Sequence, residues 1–255
     1  MTKTRPENNS ARNTIILTVA VIVVAAYCVA FGLQTLVWFE ARHWAGSNPW
    51  IKDVPQALNS PAVQEGSTQL KAFNYEFKVP WDAKQKIVTD QARMEFHFDS
   101  GQVIIFYDPE AQADVLRGLT SENTAEYQQF QNAFVGQSFD SNYAIYQAVY
   151  DASPASVSPV SSLRDAIRVN QLLLWKIAFG ADAMPGLHSI QSGSNRGFEF
   201  GDPSTGQPVA LRLFDGRDRQ FRIVFANAAG ATTKFTQADI DSAVQSLQPI
   251  PIMER

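Results

Sequence analysis

One run of apolar residues, Ile15 to Phe39, contains no charged side chain and constrains this chain more than any other feature. A bilayer core is about 30 Å thick, and a helix needs about 20 apolar residues to cross it. Only a helix satisfies all the backbone hydrogen bonds of a single segment in lipid. The run therefore predicts one transmembrane helix at residues 14–39, with the lipid bilayer as its partner.

Two other interpretations of the run are weaker. A cleavable signal peptide has a shorter apolar core followed by a site of small residues, whereas this run ends at Leu36-Val37-Trp38-Phe39; a cut near Ala25-Ala26-Tyr27 or Ala30-Phe31-Gly32 stays open. A lipoprotein would use Cys28, but the bulky Tyr27 precedes it. An uncleaved signal-anchor is the interpretation that the length favours.

The cations that flank the run predict its orientation. Lys3, Arg5 and Arg12 precede it, while Arg42 and Lys52 follow it. Cytoplasmic flanks carry the excess of Lys and Arg, so the N-terminus is expected in the cytoplasm. The remainder is expected outside, as the periplasmic domain of a single-pass protein of a bacterial inner membrane.

Composition excludes several classes of function. Outside the first 39 residues, which hold three basic residues and one acidic one, 18 Lys and Arg face 24 Asp and Glu, a net charge near −6. This charge argues against nucleic acid or an anionic lipid surface as the main partner. Cys28 is the only cysteine, so the domain has no disulfide, no thiolate ligand and no cysteine nucleophile.

Turn-forming residues divide the chain into four parts. Residues 1–13 form a polar cytoplasmic tail, and residues 14–39 form the span. Residues 40–68 contain prolines and glycines among polar residues and predict a juxtamembrane linker. Residues 69–255 are expected to form one extracytoplasmic domain.

Alternating apolar residues predict strands in that domain. One strand is expected over Phe73–Val79. A hairpin turns at Asp99-Ser100-Gly101 and pairs Phe96 with Ile104 and Met94 with Phe106. Further strands are expected at 198–200, 209–214 and 221–225, and helices at 109–119, 121–135, 140–152, 161–179 and 236–247.

This order of elements predicts an α+β fold in which an antiparallel sheet carries helices on both faces. Val103, Ile105 and Tyr107 point away from the first apolar face of the hairpin, so the second face must also be covered. The last helix has a start signal in Thr236 and Asp239, with Phe235 and Ile240 as a hydrophobic staple.

No catalytic motif is found in the sequence, and no cofactor or metal site is predicted. The three histidines, at 43, 97 and 188, lie far apart. Asp108, Glu110 and Asp114 open a predicted helix, where acidic groups complement the helix dipole. The alternative is a pair of carboxylates in a membrane-tethered hydrolase.

Two arginines form the sharpest constellation. The hairpin register that aligns Leu211 with Ile223 places Arg212 opposite Arg222, and like charges in such a pair destabilise a sheet. Glu199 is predicted as their partner in a structural Arg-Glu-Arg strip. Alternatively, the three residues bind an anionic ligand, a role that suits guanidinium groups.

Three tyrosines, Tyr143, Tyr146 and Tyr150, recur at helical spacing. Core packing with hydroxyl groups at the rim is the favoured interpretation. The alternative is an aromatic stripe that binds a partner protein.

The segment Tyr75-Glu76-Phe77-Lys78-Val79-Pro80-Trp81 resembles the opening strand of PsbP-like domains. The final strand and helix, at 221–225 and 239–247, are also similar, and the long middle region departs from the pattern. The chain further resembles a bacterial family of membrane-anchored proteins. The PsbP-like resemblance implies an antiparallel sheet between helices in an assembly or accessory factor without catalysis, and it assigns no functional residue.

These observations predict a binding or assembly module without catalytic activity, tethered to the membrane, whose other partner is a membrane or periplasmic protein. A carboxylate hydrolase and a subunit of a larger membrane complex are the alternatives.

Overall fold

The computed structural model describes residues 8–58, 68–81, 85–90, 92–109, 139–179 and 186–250, with the side chains of 8–15 and 85–86 excepted. Helix α1 spans Asn8–Ser47 and is followed by a short 3-10 helix, Pro49–Lys52. One stretch of α1 is long and apolar enough to cross a membrane, and none of its most apolar window is buried in the protein. This confirms one candidate membrane helix near the N-terminus.

An eight-stranded sheet forms the centre of the domain. Its strands lie in the order β1-β7-β8-β9-β10-β6-β5-β4. Their bounds are β1 Gln56–Ala57, β4 Gln85–Thr89, β5 Arg93–Phe98, β6 Gln102–Tyr107, β7 Leu187–Ser192, β8 Asn195–Phe200, β9 Val209–Phe214 and β10 Gln220–Asn227. All neighbours are antiparallel except β1 and β7, which are parallel. The α+β fold is confirmed, while the expected antiparallel sheet contains one parallel pair.

A second, three-stranded sheet was not expected from the sequence. Strand β3, Tyr75–Val79, lies between β2, Thr68–Ala72, and β11, Gln248–Pro249. Phe73 belongs to the turn between β2 and β3, at φ 51°, and not to a strand that begins there. This small sheet helps to cover one face of the large one.

Helices cover both faces of the large sheet, as predicted. Helices α2, Asn142–Asp151, and α3, Leu163–Phe179, pack with the C-terminal part of α1 on one face, called here the anchor face. Helix α4, Gln237–Ser246, packs with β2 and β3 on the other, called here the groove face. Each face has its own hydrophobic core, so every central strand is buried on both sides.

The predicted registers are confirmed. Phe96 pairs with Ile104 and Met94 with Phe106, and Arg212 lies directly opposite Arg222. Helix α4 starts where expected, because the Thr236 side chain caps it in a capping box with Asp239.

The first part of the expected linker at 40–68 is packed into the domain, whereas residues 59–67 lie outside the described residues. Helix α1 continues to Ser47, and Ala41, Ala45 and Ile51 are buried in the core of the anchor face. The prolines and glycines of this segment suggested irregular structure, but Pro49 begins the 3-10 helix, a position that suits its fixed φ. The predicted helices at 109–119 and 121–135 lie almost entirely outside the described residues.

Candidate functional site

A groove of about 700 Å³ opens on the groove face, beside the start of α4. Its walls are the start of β7, the end of β8, the 3-10 helix Pro203–Thr205 and the first residues of α4. The polar groups that it offers to a ligand come from His188, Asp202, Lys234 and Gln237. These are an imidazole, a carboxylate, an ammonium group and an amide, set in a groove whose lining surface is otherwise mostly apolar.

Two buried acids adjoin this groove through Gln237. The Gln237 Nε2 donates to Glu199 Oε2 and to Asp241 Oδ1, at 3.1 Å in each case. Glu199 is 0% exposed and Asp241 is 6% exposed. The structure describes no hydrogen-bond partner for the remaining oxygens, Glu199 Oε1 and Asp241 Oδ2. A buried polar atom without a partner is costly, so this pair is the least satisfied polar cluster of the groove face.

Burial changes the acidity of both groups. It raises the pKa of Glu199 to about 7, although the Gln237 amide opposes this shift and the Asp241 charge adds to it. Burial also raises the pKa of Asp241. Raised values mean that the site favours neutral carboxyl groups, which donate a hydrogen bond as well as accept one.

Two of the hydroxyl groups that line the groove are used in local structure. The Thr205 hydroxyl donates to Asp202 O at 2.7 Å, and the Thr236 hydroxyl to Asp239 Oδ2 at 2.9 Å. Both hydroxyls therefore serve local turns and caps. The described residues also contain no group of three His, Cys, Asp or Glu side chains that could hold a metal ion.

The predicted Arg-Glu-Arg strip is not formed. Glu199 pairs with Leu211 on the groove face, whereas Phe198 pairs with Arg212 on the anchor face. The prediction assumed that the apolar residues of β8 and β9 share one face. In a sheet that is buried on both sides, Phe198 and Leu211 can instead face opposite cores, and they do.

Each arginine of the pair has an aromatic neighbour instead. Arg212 donates to the Tyr150 hydroxyl at 2.8 Å and to Phe179 O at 3.3 Å, and its guanidinium lies 4.7 Å from the ring centroid of Tyr146. The guanidinium of Arg222 lies 5.0 Å from the ring centroid of Tyr107. The contacts of Arg212 are those of a structural residue, and the anion-binding role of the pair stays a prediction.

The three tyrosines contribute to the core of the anchor face. Tyr146 and Tyr150 are buried, and Tyr143 stacks on Phe198 with ring centroids 5.5 Å apart. Arg196 lies over the Tyr143 ring at 4.3 Å. The burial of Tyr146 and Tyr150 supports the core-packing interpretation, and the partner-binding stripe stays a prediction.

Lys176 is an unexpected buried cation of α3. Its ammonium group donates to Asp53 O at 2.5 Å, Tyr150 O at 2.7 Å and Ala152 O at 2.8 Å. Burial lowers its pKa to about 8, against the charges of Asp53 and Asp151. Three N–H donors meet three carbonyl groups, which ties α2 and α3 to the segment after α1. The sequence signal that could have predicted this buried cation is a lysine within the apolar stripe of a helix.

Of the three acidic residues in the carboxylate-hydrolase alternative, the structure describes only Asp108. Glu110 and Asp114 lie outside the described residues, and the Asp108 amide donates to Ala92 O at 2.9 Å. The histidines stay apart: His188 lines the groove, His97 contacts Glu95 Oε2 at 3.1 Å on β5, and His43 is exposed on α1.

Comparisons with protein-family models, with curated proteins and with solved structures found no match. The resemblance to PsbP-like domains accordingly stays a prediction.

Proposed function

We propose that this protein is a membrane-anchored binding or assembly module without catalytic activity, whose domain lies outside the cytoplasm at a bacterial inner membrane. The observation that supports it is the junction of α1 with the domain. Ala41 and Ala45 are buried in the core of the anchor face, on the same helix as the candidate span. A domain whose core includes part of its own anchor helix keeps a fixed position relative to that helix.

The distances at this junction are short. Ala45 comes six positions after Phe39, the end of the apolar run, which is about 9 Å of helix. The domain therefore sits on the membrane surface and cannot reach partners far from it. The partners that it can reach are membrane proteins, lipids and periplasmic proteins that come to the bilayer.

The flanking charges support the orientation. Three cations precede the run and belong to a tail of 13 residues, while the domain is acidic. Short positively charged tails stay in the cytoplasm. An accessory role is also what the PsbP-like resemblance implies.

The acid pair argues against a carboxylate hydrolase at the groove. Such an enzyme places two carboxyl groups on opposite sides of a substrate bond. Glu199 and Asp241 instead lie side by side on one amide, and both are buried. A scissile bond cannot enter between them.

The test is capture of the full chain from native membranes in mild detergent, with its neighbours identified by quantitative mass spectrometry. The matched control replaces residues 16–36 with an unrelated Leu-Ala span and keeps residues 37–255. We expect the same neighbours with both chains, because the domain binds them. Neighbours that vanish with the replaced span would favour the alternative of a subunit held by its transmembrane helix. Turnover of a substrate by the full chain would overturn the proposal.

A further inference from the structure

Helix α3 runs antiparallel to α1 and points its first turn towards the membrane. Near its C-terminal end, Lys176 reaches Asp53 O, beyond the end of α1. Six residues earlier, Asn170 Nδ2 donates to Glu40 Oε2 at 2.9 Å. Residues earlier in α3 therefore lie beside residues of α1 that are closer to the apolar run.

The start of α3 lies at the level of that run. Leu163, the first residue of α3, precedes Asn170 by seven residues, which is about 10 Å of helix. The apolar run is about 37 Å long as a helix, against a bilayer core of about 30 Å, so its last turns lie in the lipid headgroup region. Val37 and Trp38 pack against the core of the anchor face, which shows that the domain extends down to these turns.

An apolar stripe faces outward on this part of the domain. Val160, just before α3, is 69% exposed, and Ile167 and Leu174 on α3 are 42% and 48% exposed. Ile167 and Leu174 are seven residues apart, so they share one side of α3, and Val160 lies in the turn before this helix. Asn170 lies about 60° from Ile167 around the helix axis. The stripe is therefore next to the side of α3 that contacts α1.

Two cations flank the stripe. Arg164 and Arg168 line a shallow groove of about 820 Å³ on the same surface, together with Ile167. Arg168 Nε is itself buried, and the structure describes no hydrogen-bond partner for it. Asp165, on the same turn, is the one acidic residue that lines this groove among the residues that the structure describes. Arginine beside exposed apolar side chains suits a phospholipid surface, with guanidinium groups on phosphates and apolar groups among acyl chains.

We infer that the membrane-proximal part of the stripe, Val160 and Ile167, with Arg164 and Arg168, is a second contact with the bilayer, in which the phospholipid surface is the occupant. This inference depends on the membrane span of the proposed function. A single helix can rotate and tilt in a bilayer, whereas two contacts fix the orientation of the domain. The groove beside α4 is separated from α3 by the large sheet, so a lipid contact through α3 leaves the groove uncovered.

Site-directed spin labelling of the full chain tests this inference. Cys28→Ser removes the only cysteine, and single cysteines are then placed at Ile167, at Ile22 in the span and at Gln245 on α4. Each chain is reconstituted in nanodiscs of phosphatidylcholine with phosphatidylglycerol. Accessibility to oxygen, which concentrates in lipid, is compared with accessibility to a water-soluble nickel chelate.

We expect the ratio of oxygen to nickel accessibility to be at least threefold higher for the label at 167 than for the label at 245. The label at 22 should show the highest ratio. Arg164→Ala with Arg168→Ala should lower the ratio at 167 and leave the ratio at 22 unchanged. A label at 167 that matches 245, while 22 lies in lipid, overturns the inference and leaves the anchor intact. A label shielded from both reagents and broadened by a second label shows a second copy of the chain instead, and also overturns it. A water-exposed label at 22 overturns the span itself.

Discussion

The two faces of the large sheet differ at their fully buried charged side chains. On the anchor face, Lys176 donates to three carbonyl groups and ties helices together. On the groove face, Glu199 shares one amide with Asp241, and each acid keeps an oxygen for which no partner is described. The buried cation of the anchor face is therefore fully satisfied, whereas the acid pair beside the groove is not.

This difference separates two tasks. A fully satisfied cluster such as that of Lys176 fixes one geometry, which suits the face that holds the anchor. Unsatisfied groups lower stability and are retained where they have another use, which suits the face that has a groove. The anchor face is therefore the structural half of the domain, and the groove face is the half in which we expect binding.

The largest effect is expected at Lys176. Lys176→Met keeps much of the volume but leaves the carbonyl groups of Asp53, Tyr150 and Ala152 without their donor. We expect a loss of about 3–5 kcal/mol in the free energy of unfolding, measured by denaturant titration of the full chain in detergent micelles. Lys52→Met at an exposed lysine nearby is the control, with a change within about 0.5 kcal/mol. Equal effects of the two substitutions would show that the anchor face does not depend on this cation.

The groove face should show its own pH dependence. The folded chain binds a proton on Glu199 between pH 4.5, its ordinary pKa, and about 7, where the unfolded chain has released it. The contribution of this proton to the free energy of unfolding is therefore greatest below pH 4.5. It is lost as the pH rises through 7, by about 2–4 kcal/mol. Glu199→Gln should flatten the unfolding free energy over this range relative to the natural protein.

The control for this titration is Asp99→Asn, at an exposed turn, which should leave the slope unchanged. An unchanged slope in Glu199→Gln would mean that this acid is ionised throughout, and that the difference between the faces is smaller than the structure indicates.

A smaller loss is expected where α1 meets the domain. Ala45 is buried and its neighbour Gly46 has no atom within 4 Å of an added Cβ. Ala45→Leu should overpack the anchor face and cost about 1–3 kcal/mol, whereas Gly46→Ala should be neutral or stabilise the helix by up to about 1 kcal/mol. Thermal unfolding in nanodiscs compares the two. A harmless leucine at 45 would mean that α1 does not pack as described.

The smallest effect is expected for the bond between Asn170 and Glu40. Asn170→Ala removes this bond, but it also removes Asn170 Oδ1, a buried atom for which no partner is described. The two effects oppose each other, and we expect a net change of about 0.5 kcal/mol or less. A double-mutant cycle with Glu40→Ala measures the coupling, and a coupling above about 2 kcal/mol would contradict this estimate.

Local patterns predicted much of the fold. The hairpin registers follow from period-two alternation on strands whose turn is marked by Asp99-Ser100-Gly101, and the start of α4 follows from Thr236 and Asp239. The position of Arg212 opposite Arg222 was predicted for the same reason. Each of these features depends on residues that are close in sequence.

Features that depend on distant residues were missed. The face that Glu199 occupies is set by the pairing of β8 with β9, and both faces of these strands are apolar, so alternation alone does not distinguish them. The three carbonyl partners of Lys176 come from positions 53, 150 and 152. The buried end of α1 was missed because Pro49 and Gly46 punctuate a segment whose burial depends on α3.

The packing of α1 against α3 also sets an order of events during synthesis. The anchor helix leaves the ribosome first, but its buried end at Ala45 is covered only after Lys176 has been made. At 5–20 residues per second this interval is roughly 7–26 s. During this time the small apolar face of the helix is uncovered next to the bilayer, and it is available to an insertion factor or a chaperone.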